Sequence, residues 1–222
     1  MKPATRIAGV AVCAVALAGM AGAQSRNRQA PRGKPGEFDY YVLSLSWSPE
    51  HCAGPAGKGD TQQCGEGKRF GFVVHGLWPQ YERGYPQDCA AGPRVSPDIV
   101  KRMLAIMPSE RLIQHEWSKH GTCSGMNQAD YFQTIEEVFR GLTVPDDYKA
   151  PVKQVYVNPN TIRKKFVSAN PGFSGQTVRI DCGGRHLSEV RVCLTKDLKP
   201  RPCSSEVSDT CRGNEIIMQP VR

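Results

Sequence analysis

The sequence predicts one domain of mixed strands and helices, stapled by disulfides and preceded by an export leader. Three observations predict it: the length left once the leader is set aside, strand-like and helix-like runs separated by Gly- and Pro-rich loops, and an even number of cysteines in the remainder. Each follows from named residues.

Lys2 and Arg6 precede an uncharged, mostly apolar run from Ile7 to Met20, and Ala21-Gly22-Ala23 follows it. A short positive region, a brief apolar core and an Ala-x-Ala site form a signal peptide, too short to span a bilayer. Residues 1–23 are therefore expected to be removed, and the protein to be exported to a periplasm or the extracellular space without a membrane anchor. Cys13 lies in the apolar run without the small-residue context of a lipoprotein cysteine, and is discarded with the leader. What remains is 199 of the 222 residues, the size of one large domain with a sizeable core. Lys2 and Arg6 leave too, so the formal charge falls from +8 to +6. A basic surface suits a polyanion, although charge of this size also serves solubility alone.

Residues 24–36, QSRNRQAPRGKPG, are basic, rich in Gly and Pro and poor in large apolar groups, and read as a flexible lead-in to a domain over 37–222. Residues 40–47, YYVLSLSW, are aromatic, β-branched and partly alternating, a strand ending before Pro49. Residues 51–68 are dense in Gly and read as a loop, pinned by a local Cys52–Cys64 pair. RFGFVVH, 69–75, is a second strand expected to end at Gly76, with Pro79 limiting any continuation.

Ser96-Pro97 opens a helix carrying Ile99, Met103, Ile106 and Met107 that Pro108 ends, with Ser as N-cap and Pro in the first turn. Tyr131, Phe132, Ile135, Val138 and Phe139 form an apolar stripe on a helix over about 128–140. Asn158-Pro159 opens a third helix to about Ala169. TVRIDC near 177–182 and SEVRVCL near 188–194 are strands joined around Gly183-Gly184. No internal repeat or low-complexity tract interrupts this order.

Eight cysteines survive the leader: Cys52, Cys64, Cys89, Cys123, Cys182, Cys193, Cys203 and Cys211. An even count in an exported chain implies disulfides, but the count allows on the order of a hundred pairings. No Cys-x-x-Cys occurs, so a zinc knuckle is not indicated.

The chemistry concentrates at HEWSKH, residues 115–120. On a helix each residue advances about 100°, so Glu116 and His120 fall about 40° apart, with Lys119 on the other flank of Glu116. His115 lies roughly 140° from His120, which excludes a zinc pair needing its ligands four residues apart. No metal or cofactor is expected. A second imidazole, His75, sits at a strand end beside Gly76, a place where histidines ordinarily serve packing. Two imidazoles facing one phosphate suit transphosphorylation of RNA: a neutral ring takes the ribose 2′-OH proton and a charged one protonates the leaving 5′-oxygen. Lys119 and a cationic His115 would stabilise the charge gathered at phosphorus. Glu116 would either orient His120 or hydrogen-bond a protonated non-bridging oxygen. DNA lacks the 2′ nucleophile and would not be cut.

FVVHGLWP at 72–79 and HEWSKHGTC at 115–123 resemble the two active-site segments of the ribonuclease T2 family. The resemblance extends to YVLSLSWSP, Cys89, NPNTIRKKFVSANPG and EVRVCL, nearly the whole exported chain. It implies an α+β fold, a central mainly antiparallel sheet with several helices packed against it, in which the two segments face each other across a cleft. It further implies a monomeric endoribonuclease that cleaves single-stranded RNA through a 2′,3′-cyclic phosphate to 3′-phosphate ends, with low base specificity. Carried over by position, His75 becomes the general acid and His120 the base, with Glu116, Lys119 and His115 in support. Trp78 matches an aromatic that stacks a base, against a core-packing alternative; Tyr85 is a candidate second stacking residue. Where some members carry an Asp that binds a purine, this chain has Gln80, which leaves base preference open. The resemblance also pairs Cys89 with Cys123 and nests Cys193–Cys203 within Cys182–Cys211.

Two other readings compete. A non-catalytic RNA-binding protein on the same scaffold would have lost a catalytic group, whereas every expected group is present here. A secreted cysteine hydrolase needs a free thiol, which an even disulfide set does not leave.

Overall fold

The computed structural model describes Met1 and residues 33–221; the rest of the leader expected over 1–23, and residues 24–32 of the lead-in, lie outside the described residues. Residues 33–36, the end of that lead-in, are fixed against the domain, where Gly36 N–H donates to the Cys123 carbonyl at 2.9 Å.

Strand β1, Tyr40–Trp47, is central in the sheet, and alternation divides its side chains. Tyr41, Leu43, Leu45 and Trp47 turn into the main core, while Tyr40 and Val42 belong to a small cluster on the opposite face, where Ser44 and Ser46 also stand. Each apolar side chain fully buried in this way stabilises the fold by roughly 1.5–3 kcal/mol.

Strand β2, Phe72–Gln80, pairs antiparallel with β1 and does not end at Gly76 as expected: Pro79 lies opposite Tyr41 within the ladder. Proline is tolerated because β2 is an edge strand, with no further neighbour to miss its N–H. The register shifts where Ser44 pairs with Gly76 and Leu45 with Val74, so His75 is the extra residue of a β-bulge. The bulge reverses the alternation. Phe72, Val74 and Leu77 are all core residues, while His75, Trp78 and Gln80 share the opposite face.

The remaining strands are β3, Val155–Val157, β4, Val178–Gly183, β5, His186–Leu194, and β6, Ile216–Met218. The sheet runs β2-β1-β5-β6-β3, with β4 also on β5. It is antiparallel except for a single parallel pairing, His186 with Ile217, between β5 and β6. The α+β class expected from the resemblance is the one observed.

Among the described residues six α-helices accompany it: α1, Ser48–Ala53, α2, Thr61–Cys64, α3, Pro97–Met103, α4, Glu110–Lys119, α5, Gln128–Gly141, and α6, Pro159–Ala169. Residues 51–68 are thus not all loop. Pro49 sits in the first turn of α1, and the Asp60 side chain caps α2 by accepting from Gln63 N–H. Helix α3 stops at Met103, short of Pro108, because the chain turns there and the Ile106 carbonyl accepts from Val74 N–H at 2.9 Å. On α5 the stripe divides: Tyr131, Phe132 and Ile135 are fully buried, and Val138 and Phe139 pack at the core's margin.

All eight described cysteines are bonded, as Cys52–Cys64, Cys89–Cys123, Cys182–Cys211 and Cys193–Cys203. Among the described residues no free thiol is left for the cysteine-hydrolase reading. Among the described residues no helix is long and apolar enough to cross a membrane.

Candidate active site

The face of the sheet away from the main core carries His75, Trp78 and Gln80 on β2 and Glu189 and Arg191 on β5, with Ser46 of β1 between them. The C-terminal end of α4 brings Glu116, Lys119 and His120 to the same place. All eight residues singled out in the sequence, His75, Trp78, Gln80, Tyr85, His115, Glu116, Lys119 and His120, line one cleft of about 360 Å³.

Glu116 is buried, and its Oε2 accepts from Trp78 Nε1 at 2.7 Å while Oε1 lies 3.7 Å from His75 Nε2. Among the described residues the Glu116 carboxylate makes no hydrogen bond to the His120 ring, and what joins the two residues is the His120 N–H donating to the Glu116 carbonyl at 3.0 Å, so the carboxylate does not orient that ring in this geometry. The helical-wheel estimate overreached because His120 is the C-cap, with ψ −44° and φ −117°, one residue beyond α4. Gly76 makes the approach possible: a methyl there would overlap both the Glu116 carboxylate and the Trp78 indole nitrogen.

Electrostatics separate the two imidazoles. Burial pulls the His120 pKa down to about 3, helped by the neighbouring Lys119, and its Nδ1 is buried without a partner, so the ring is neutral. Burial would depress His75 as well, but the Nδ1 hydrogen bond to Glu189 and the charges of Glu116 and Glu189 outweigh it and raise the pKa. Burial pushes the Glu116 carboxyl up to about 7, against the opposing pull of His75 and of the Trp78 hydrogen bond. Opposite environments for like groups are how one site provides both an acid and a base.

His115 stands at the rim, and its pKa is lowered by partial burial of its ring and by Lys119. This environment disfavours the cationic form that the expected role of His115 would use. Trp78 is half-buried against Tyr40 and Val42, with its ring centroid 5.4 Å from that of His120 and 5.2 Å from that of His75. Packing and exposure coexist in this side chain. Tyr85 is 49% exposed with its centroid 6.3 Å from that of His120, which leaves its face open. Gln80 is buried and its amide donates one N–H to the Pro79 carbonyl, leaving the second N–H and the oxygen available.

Sequence reasoning missed Glu189 and Arg191. Arg191 lines the cleft with its guanidinium 5.7 Å from the Trp78 ring centroid. The available signal was the alternation in SEVRVCL: Glu189 and Arg191 are two apart, on the face opposite Val190 and Val192.

The model of the ribonuclease T2 family matches residues 38–203. A ribonuclease of Aeromonas hydrophila is 37% identical over 207 residues, covering 86% of this chain and 90% of its own. Ribonuclease DdI of Dictyostelium discoideum is 28% identical over 82% of this chain and 85% of its own. Among solved structures, the RNase-related protein from Calystegia sepium superposes with a TM-score of 0.66 at 24% identity, covering 83% of this chain and 98% of its own.

Proposed function

The chain belongs to the ribonuclease T2 family and is an endoribonuclease of that type, and we propose that it cleaves single-stranded RNA by metal-independent acid–base transphosphorylation between His120 and His75. One observation carries this reading: two imidazoles line one cleft, one neutral and the other with its pKa raised.

In the first step His120 removes the proton of a ribose 2′-OH. The 2′-oxygen attacks phosphorus, the bond from phosphorus to the 5′-oxygen breaks, and His75 gives its proton to that leaving oxygen. The products are a 2′,3′-cyclic phosphate and a 5′-hydroxyl. Hydrolysis of the cyclic ester reverses the roles and leaves a 3′-phosphate. Lys119 neutralises charge on the non-bridging oxygens, and Glu116, protonated at acidic pH, donates to one of them. Trp78 and Tyr85 offer aromatic faces to a base, which tolerates any base because each has a π-face. The leader and the four disulfides support an exported enzyme.

The deciding experiment is digestion of a defined RNA with mass analysis of the products. Cyclic phosphate and then 3′-phosphate ends are expected, with DNA untouched, activity surviving EDTA, and near-complete loss in His75→Ala or His120→Ala. Strong inhibition by EDTA, or 5′-phosphate products, would refute the mechanism. Because cleavage needs neutral His120 and protonated His75, the rate is expected to peak in the acidic to neutral range.

A further inference from the structure

His75 is gripped at its far nitrogen. Its Nδ1 lies 2.5 Å from Glu189 Oε1, and Ser46 Oγ lies 3.3 Å from both of those atoms. The other oxygen of Glu189, Oε2, takes two bonds from Arg191, 2.9 Å from Nε and 2.8 Å from Nη2. Arg191 is held in turn by Asp181 at 3.5 Å. Glu189 is buried at 7% exposure, so this pairing is not a solvent-screened surface contact.

We propose that Glu189, fixed by Arg191, is the positioning residue for His75: it binds Nδ1–H and so keeps the proton-bearing Nε2 aimed into the cleft. The inference rests on the assignment of His75 as general acid. A bulged residue needs such a hold. His75 has no ladder partner in the register, so its ring direction is set by side chains rather than by the sheet.

The carboxylate also fixes the ring's charge. Groups around His75 are Glu189 and Arg191 from β5, Ser46 from β1, Arg111, His115, Glu116, Lys119 and His120 from α4 and its end, and His51 of α1 and Asp60 before α2, which line a second cleft that His75 borders. Of these only Glu189 meets Nδ1 as an anion. Its own pKa opposes burial and falls to about 2 through the His75 hydrogen bond and the charges of His75 and Arg191, so it stays ionised wherever the enzyme would work. Arg191 thus keeps the positioning group charged while its own charge pulls the His75 pKa down.

The test uses the intact exported chain. The His75 ring is titrated by NMR, with its signal assigned by its loss in His75→Ala, and kcat/KM for cyclisation of a dinucleotide is measured against pH. In Glu189→Gln the midpoint is expected to fall by about one pH unit or more, because an anionic hydrogen-bond acceptor has become neutral. The alkaline limb of kcat/KM should move to lower pH by the same amount, with kcat reduced and KM little changed. Arg191 keeps Asp181 in this variant, which favours its folding. Glu189→Asp keeps the charge but withdraws the oxygen, and should move both quantities in the same direction by less. If Glu189→Gln does not fold, the Asp variant decides. An unmoved midpoint and limb overturn the proposal even where activity falls. Full activity in His75→Ala would instead overturn the acid assignment, while the titration would still report whether Glu189 holds the ring.

Discussion

The indole nitrogen of Trp78 donates to the buried carboxylate of Glu116 at 2.7 Å, joining the edge strand to the helix across the cleft. This contact makes Trp78 more than a stacking surface. Trp78→Phe keeps an aromatic face and loses the donor, which leaves Glu116 with a higher pKa because that hydrogen bond lowers it. With Glu116 protonated in the working form, what is lost is the bond that fixes the position of its carboxyl, which contributes about 0.5–1.5 kcal/mol, so kcat should fall by up to about 10-fold with KM little changed. Trp78→Ala should raise KM as well. Steady-state kinetics on a dinucleotide separate the two, and equal KM values for Phe and Ala variants would count against stacking.

Gly76 lies where those two partners meet. A methyl at this position would occupy the space of the Glu116 carboxylate and the Trp78 nitrogen, and backbone flanks it in the β1 ladder. Gly76→Ala is therefore expected to displace Glu116 and to reduce kcat about 100-fold or more, the scale seen when an electrostatic stabiliser is removed from a transition state. Far-UV circular dichroism should stay unchanged. Near-normal activity would mean that the carboxylate can retreat without cost.

His120 should make the protein less stable in acid. Its folded pKa of about 3 lies below the ordinary value of 6.5, so between these limits the unfolded chain binds a proton that the folded one does not. The stabilisation is present above pH 6.5 and is lost as pH falls toward 3. His120→Phe, which cannot titrate, is expected to gain several degrees of Tm relative to the parent between pH 7 and pH 4, since one proton is worth roughly 1 kcal/mol per pH unit. A Tm difference that does not change with pH would show that His120 is not buried as a neutral base.

Much of this architecture is legible in local pattern, because alternation in YYVLSLSW and the stripe from Tyr131 to Phe139 report which side faces the core. The bulge at His75 is not, since no residue type announces it and the glycine and proline beside it suggest that the strand ends. Glu116 shows a similar limit: its spacing to His120 is visible on a helix, but its partners lie on β2, and only tertiary structure brings Trp78 and His75 to it. Glu189 and Arg191 escaped notice because charged residues on a strand usually face solvent, whereas here they share their face of the sheet with Ser46 of β1 and with His75 and Trp78 of β2.

The Cys89–Cys123 bond closes a segment of sequence separation 34 that contains both Glu116 and His120. Beside it, Asp88 adopts φ 52°, a left-handed conformation that Asp tolerates better than most residues, and its N–H donates to the Lys119 carbonyl at 2.8 Å. The bridge therefore holds the loop after Tyr85 against the end of α4, where Lys119 and His120 emerge. Loop-closure entropy for a ring of this size corresponds to about 3–4 kcal/mol in the unfolded-chain account. Replacing both cysteines by serine should lower stability by about that amount in urea titration. Activity should also fall at temperatures where the variant remains folded, because Tyr85 and His120 would lose their fixed separation. If the folded variant retained full kcat and KM, the bridge would serve stability alone, and the end of α4 would be held in place by Trp117 and Tyr131 packing on Gly121.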